Sequence, residues 1–151
     1  MRLRLLGLDG WYHAARGDHA VAVRVAREIL TLHRRTGAAL ADIALAERIL
    51  GDQCLRSGDL ACAAAALDSS RVHYRLVFGP ESRYEALVDA HRAELAVQTT
   101  PPAEALPVVA RAHVRVVQHF GSESMDARRL ARLRDSLAVR SAPTAPSGRR
   151  L

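Results

Sequence analysis

Along most of the chain apolar side chains return every three or four residues, the period of one helix face, and no stretch alternates as a half-buried strand would. Read together with the turn and cap residues, this periodicity predicts seven helices. The first covers about Leu3 to Ala15. Gly17-Asp18 then turns the chain, with Asp18 as N-cap, into a second helix that runs to about Arg35 and ends at Gly37 in the left-handed cap position. A third covers about Ala39 to Arg56, and Ser57-Gly58-Asp59 leads into a fourth from Leu60 to Phe78. Ser82 and Glu85 have the spacing of a capping box and open a fifth helix that reaches about Gln98. Thr99-Thr100-Pro101-Pro102 precedes a sixth, in which Pro107 predicts a kink or an irregular first turn. A seventh covers about Glu123 to Val139, and residues 141–151 read as a disordered tail.

The helices repeat. Gly37, Gly79 and Gly121 are spaced by 42 residues (37 to 79 and 79 to 121), and each closes an apolar run of equal length. The runs are "RGDHAVAVRVAREILTLHRRTG", "GDLACAAAALDSSRVHYRLVFG" and "TPPAEALPVVARAHVRVVQHFG". Cys54, Ala96 and Ala138 fall in one column after the glycines, and Leu55, Val97 and Val139 in the next. A period of this length marks an array of helix pairs.

Composition narrows the chemistry. At 151 residues the chain has the size of one domain that buries most of its apolar surface. All 22 basic residues are Arg, so neither a P-loop nor a Schiff-base lysine can be present. The net charge of +6 is uneven: residues 1–121 hold 15 Arg against 13 acids, whereas residues 122–151 hold 7 Arg against 3. Such an excess favours an acidic partner or nucleic acid, but no aromatics interleave with those arginines to stack on bases. Two cysteines eight residues apart (54 to 62), without a secretory signal, are expected as free thiols in a reducing cytoplasm. No run approaches the length needed to span a membrane.

The middle unit carries a family resemblance. Leu50-Gly51, Cys54, Gly58-Asp59, Ala63, Leu67 and Ser70 follow the order of the tetratricopeptide repeat: a Leu-Gly pair, a medium residue, a Gly-Asp turn, then small, large and small. Gly10, Gly17-Asp18 and Ala22 match in the first unit, and Ala93, Ala96, Ala105, Val109 and Ala112 in the third, where Thr100-Pro101 replaces the turn. The family's Trp, its aromatic and its closing Pro are largely missing. The resemblance implies an all-α fold of three antiparallel helix-pair units, at residues 3–37, 38–79 and 80–121. These would stack in a right-handed solenoid, with residues 122–140 as a capping helix. The period exceeds the usual 34 or so and resembles the long-helix variety. The run from Gly10 to Leu76 is similar to the helical C-terminal sensor region of bacterial predicted-ATPase transcriptional regulators. That implies a fragment or short relative whose partners include ATPase or DNA-binding domains.

In the family the first helix of each pair lines a concave groove for a peptide or partner protein. Carried over by position, the groove residues are Trp11, Arg48, Asp52, Arg56, Glu94 and Gln98, with Arg132 and Arg140 on the last helix. Asp52 and Glu94 stand where the family's carboxylate clamp has Asn, so a carboxylate would be repelled. Arg48 and Asp52, one turn apart, are expected to pair. Trp11 is either an exposed contact residue or the packed end of the first unit. The expected function is a non-catalytic interaction module, scaffold or sensor, without cofactor or metal. The alternative is a nucleic-acid-associated factor using Arg128, Arg129, Arg132 and Arg134. Ser69-Ser70 near His73 read as packing residues beside a surface His rather than a nucleophile and base. The seven His share no column and offer no zinc spacing. The N-terminal end is expected to self-associate or dock on an upstream domain, and Leu130, Leu133 and Leu137 to cover the other end.

Overall fold

A computed structural model describes the backbone of residues 2–141 and the side chains of residues 6–141. Seven helices follow one another: α1 (Arg2–Ala15), α2 (His19–Thr36), α3 (Leu40–Ser57), α4 (Leu60–Phe78), α5 (Arg83–Thr99), α6 (Pro102–Phe120) and α7 (Met125–Ser141). Among the described residues there is no strand. The fold is all-α, as the periodicity predicts. Ser141, expected in the tail, belongs to α7; the rest of that tail lies outside the described residues.

Local signals account for most of the helix ends. The Asp59 carboxylate accepts from the Cys62 N–H at 3.0 Å, and the Ser82 hydroxyl from the Glu85 N–H at 3.3 Å. The box at Ser82 closes one residue early, because Glu85 accepts from the N–H of Glu81 rather than that of Ser82. Asp18 stands at the N-cap of α2, yet its side chain makes no cap bond and faces His13 at 3.3 Å instead. Gly37 takes the left-handed cap (φ 67°, ψ 36°), whereas Gly79 and Gly121 share a different conformation (φ 78°, ψ 171° and φ 82°, ψ 161°). That second region is open in practice to glycine alone. α6 is helical from Pro102 through Pro107 to Phe120, without the irregular first turn that was one of the two expectations. Pro107 and Ala103, whose carbonyl loses its partner there, are both exposed to water.

Each helix packs on the next in chain order; α3 also touches α5, and α5 touches α7. Small residues set the spacing. Ala22, Ala63 and Ala105, the small position of each unit, are all buried. Gly51 shows why: a Cβ there would lie 2.7 Å from Cγ and Cδ2 of the fully buried Leu67, so α3 and α4 meet only because that atom is absent. At the far end Leu130 and Leu137 of α7 are buried with Val109 and Val116 of α6, and Leu133 packs against the same cluster.

The cysteines are not free thiols. Cys54 and Cys62 are joined in a disulfide across the α3–α4 turn. Their eight-residue spacing spans a tight helical hairpin, which brings the Cα atoms to 5.8 Å, within bonding range. With the bond formed, the inference of a reducing cytoplasm loses its basis.

Candidate functional site

On an α-helix, residues three and four apart share a face. In α3 that places Leu45, Arg48, Ile49 and Asp52 together, and in α5 Leu87, His91, Glu94 and Gln98. The opposite face of α3, with Glu47 and Leu50, is buried, while Leu45 and Ile49 are each 40% exposed. The outward face of the odd-numbered helices is therefore a surface of mixed apolar and charged character.

Its N-terminal end is hollow. A cavity of about 330 Å³ opens between α1, α2 and α3, with Gly10, Trp11, Val25, Ile29, Ile49 and Asp52 on its walls. Arg48 lies on its edge. Trp11 is 73% exposed, so it does not pack as an end-cap; its ring stands at the mouth of the cavity. Across Arg48 a second hollow of about 270 Å³ begins, bounded by Leu45, Tyr74, Phe78, Tyr84 and Leu87. Its rings stack: Phe78 on Tyr84 at 4.2 Å and Tyr74 on Tyr84 at 5.4 Å between centroids.

The expected charge pairing is corrected. Arg48 does not pair with Asp52 and instead lines the second hollow together with Tyr74. Asp52 is engaged from the other side by Arg56, one turn on, at 3.0 Å, and by His91 of α5 at 3.4 Å. His91 also donates from Nδ1 to the Leu87 carbonyl at 2.8 Å, which fixes the ring against α3. Burial works against the charge on Asp52, but the hydrogen bond and charge of His91, with Arg56 beside it, hold its carboxyl down at about 2. Glu94 repeats the arrangement one step along, meeting Arg129 of α7 at 2.7 Å, which in turn holds Asp126. There burial prevails and pushes the Glu94 carboxyl up, with Arg129, His91 and Arg56 opposing it.

The structure thus brings Trp11, Arg48 and Asp52 to one cavity, ties Arg56 to Asp52 within α3, and ties Glu94 of α5 to Arg129 of α7. Gln98, Arg132 and Arg140 are exposed and line neither hollow. Sequence reasoning missed the buried acids. Glu47 is 1% exposed and accepts from Arg34 at 2.9 Å, Ser69 at 2.8 Å and His73 Nδ1 at 2.7 Å. Ser69 and His73 are therefore held by a carboxylate and not by each other, while Ser70 bonds the Ala44 carbonyl. Glu85, fully buried, gathers three arginines. The signal in the sequence was a Glu on the apolar side of its helix with a basic residue on each neighbouring helix, Arg34 and His73 for Glu47, Arg71, Arg75 and Arg115 for Glu85. Cys54, Asp59 and Cys62 put three metal-ligand atoms within 4.8 Å of one another, but both sulfurs are spent in the disulfide.

No known protein-family model matches this chain, and a search of curated proteins finds no match. Among the described residues no helix is long and apolar enough to cross a membrane.

Proposed function

We propose that the chain is a non-catalytic interaction module built as a tetratricopeptide-like solenoid, the scaffold or sensor part of a bacterial regulatory protein. It holds a peptide segment of a partner protein against the outward face of α1, α3 and α5. The chain-order packing, the α3–α5 and α5–α7 contacts and the buried small residues of each unit support the solenoid. The observation that carries the binding role is the 330 Å³ apolar cavity beside an exposed Trp11. Exposed Trp bordering an apolar hollow is the usual composition of a binding hot spot. An apolar side chain of the partner would fill the hollow, and Arg48 and Asp52 would set its orientation. ATPase or DNA-binding domains of a larger regulator are the partners that the family resemblance suggests.

The nucleic-acid reading draws less support. Of the four arginines it needs, Arg128 pairs with Glu123, Arg129 with Glu94 and Asp126, and Arg134 with Asp135, which leaves Arg132.

A phage-displayed peptide library panned on the full chain and on its Ile49→Arg variant tests the proposal. The expected result is a shared motif with one apolar anchor, enriched on the wild type and lost on the variant. No enrichment, or the same motif on both, would set the groove aside.

A further inference from the structure

On the buried side of the odd-numbered helices two clefts have one layout and different charge. The first, about 320 Å³, lies between α2, α3 and α4; the second, about 520 Å³, between α4, α5 and α6. In the first, Glu47 is satisfied by Arg34, His73 and Ser69. In the second, Glu85 meets Arg71 at 2.9 Å, Arg115 at 3.1 Å and Arg75, and Asp89 meets Arg71 at 3.4 Å and Arg115. Positions correspond at steps of 41 (Arg34 to Arg75) and 42 (Glu47 to Asp89, His73 to Arg115). The same steps carry Leu30 to Arg71, Leu50 to Arg92 and Ser69 to Arg111.

Three lining positions that are Leu, Leu and Ser in one cleft are thus arginine in the other. The first cleft shows what a buried carboxylate needs here: one Arg and one His. The second holds the buried Glu85, the half-buried Asp89 and, at its rim, Glu81, against five arginines. Arg92 reaches out to Asp68 on α4, and burial pushes its guanidinium pKa down, so its charge is held at a cost. Arg111 has no partner among the described residues, and it shares a helix face with Arg115, one turn on. The apolar part of the lining is Val108 and Ala112; no ring lines the cleft to stack on a base. At its rim Glu81 adopts φ 61°, rare for a residue with a side chain. Its N–H is fixed by Glu85 and its carbonyl by His119 Nε2 at 2.9 Å. Strain held in place this way is characteristic of binding sites.

We propose that this cleft binds a compact phosphorylated small molecule, whose phosphate oxygens accept from Arg92, Arg111 and Arg115. Guanidinium forks suit phosphate because they donate in pairs and shed water more readily than an ammonium. The site is separate from the outward groove and does not depend on it.

Isothermal titration of the full chain with inorganic pyrophosphate tests this, beside the variant Arg92→Leu/Arg111→Ser. Those substitutions place in the second cleft the residues that the first already carries, so helicity and melting should hold. The expected result is saturable one-to-one binding, weakened about tenfold or more in the double variant. Should the double variant melt early, Arg111→Ser alone, at an exposed and unpaired position, carries the test with a loss of about threefold or more. Absence of saturable binding, or equal affinity in the variants, overturns the proposal. Tighter binding of a single-stranded oligonucleotide, equally sensitive to Arg111→Ser, also overturns it and gives the cleft to nucleic-acid phosphates.

Discussion

The outward face has two ends, one on α1 and α3 and one on α5 and α7, and they treat their side chains in opposite ways. At the α1–α3 end apolar groups stand uncovered: Trp11 and Ile49 border a hollow that none of the described residues fills. At the α5–α7 end charges are consumed, Glu94 with Arg129 and Arg129 with Asp126; between the two ends Asp52 of α3 is taken by Arg56 and by His91 of α5. An exposed ion pair contributes little to stability, but a half-buried one between helices fixes their register. Charge on this face therefore positions helices, and uncovered apolar surface is what remains for a partner.

The largest effect that separates the two ends should come from removing α7. Truncation after Gly121 deletes Leu130 and Leu137, both buried, and strips Glu94 of Arg129. The two leucines alone contribute about 3–6 kcal/mol, a large share of the whole stability of a domain. Cooperative melting should disappear in calorimetry, and an unchanged transition would mean that α7 caps nothing. Next in size is Gly51→Ala, which sets a methyl 2.7 Å from Leu67 and should cost about 1–3 kcal/mol in urea unfolding. Gly10→Ala, where Val25 lies at 3.1 Å, should cost less. An equal or reversed order would mean that the α3–α4 crossing is looser than described.

The acids sharpen the comparison through pH. Asp52, held at about 2 against an ordinary 3.8, contributes about 2 kcal/mol that is fully present above pH 4 or so and is lost as pH falls toward 2. Glu94, pushed up, carries the opposite sign: its protonation favours the folded chain as pH falls through its folded value. Asp52→Asn should therefore flatten the acid limb of a stability–pH profile, and Glu94→Gln should steepen it. The same change in both would contradict the assignment of burial and pairing. The smallest effect is expected from Arg132→Ala, exposed on α7, which should stay within about 0.5 kcal/mol of wild type.

Much of this was legible in the sequence, and the exceptions are physical. Periodicity and turn residues located all seven helices, with α4 placed to the residue, because caps and apolar faces are local properties. Trp11, Arg48 and Asp52 could be placed on one surface through the groove positions that the tetratricopeptide resemblance implies, and the three do line one cavity. Their pairing could not, since Asp52 chooses between Arg48, Arg56 and His91 by distances set in tertiary packing. Glu47 and Glu85 were hidden for a similar reason. A buried acid looks like any polar interruption of an apolar face until its cations arrive from neighbouring helices. The disulfide was misjudged from a compartment argument, although the tight turn between Cys54 and Cys62 made the bond geometrically accessible.

The most direct test of the groove uses the single tryptophan of the chain as a probe. Trp11 is largely exposed and stands at the mouth of the hollow, so its emission in the free protein should be that of a water-exposed indole, open to quenching by iodide. Titration with a library-selected peptide should shift that emission to shorter wavelength and protect it from iodide, saturating at one peptide per chain, and Ile49→Arg should abolish the change. A peptide that binds with Trp11 emission and quenching unaltered would contradict the account, because the occupied surface would then lie elsewhere.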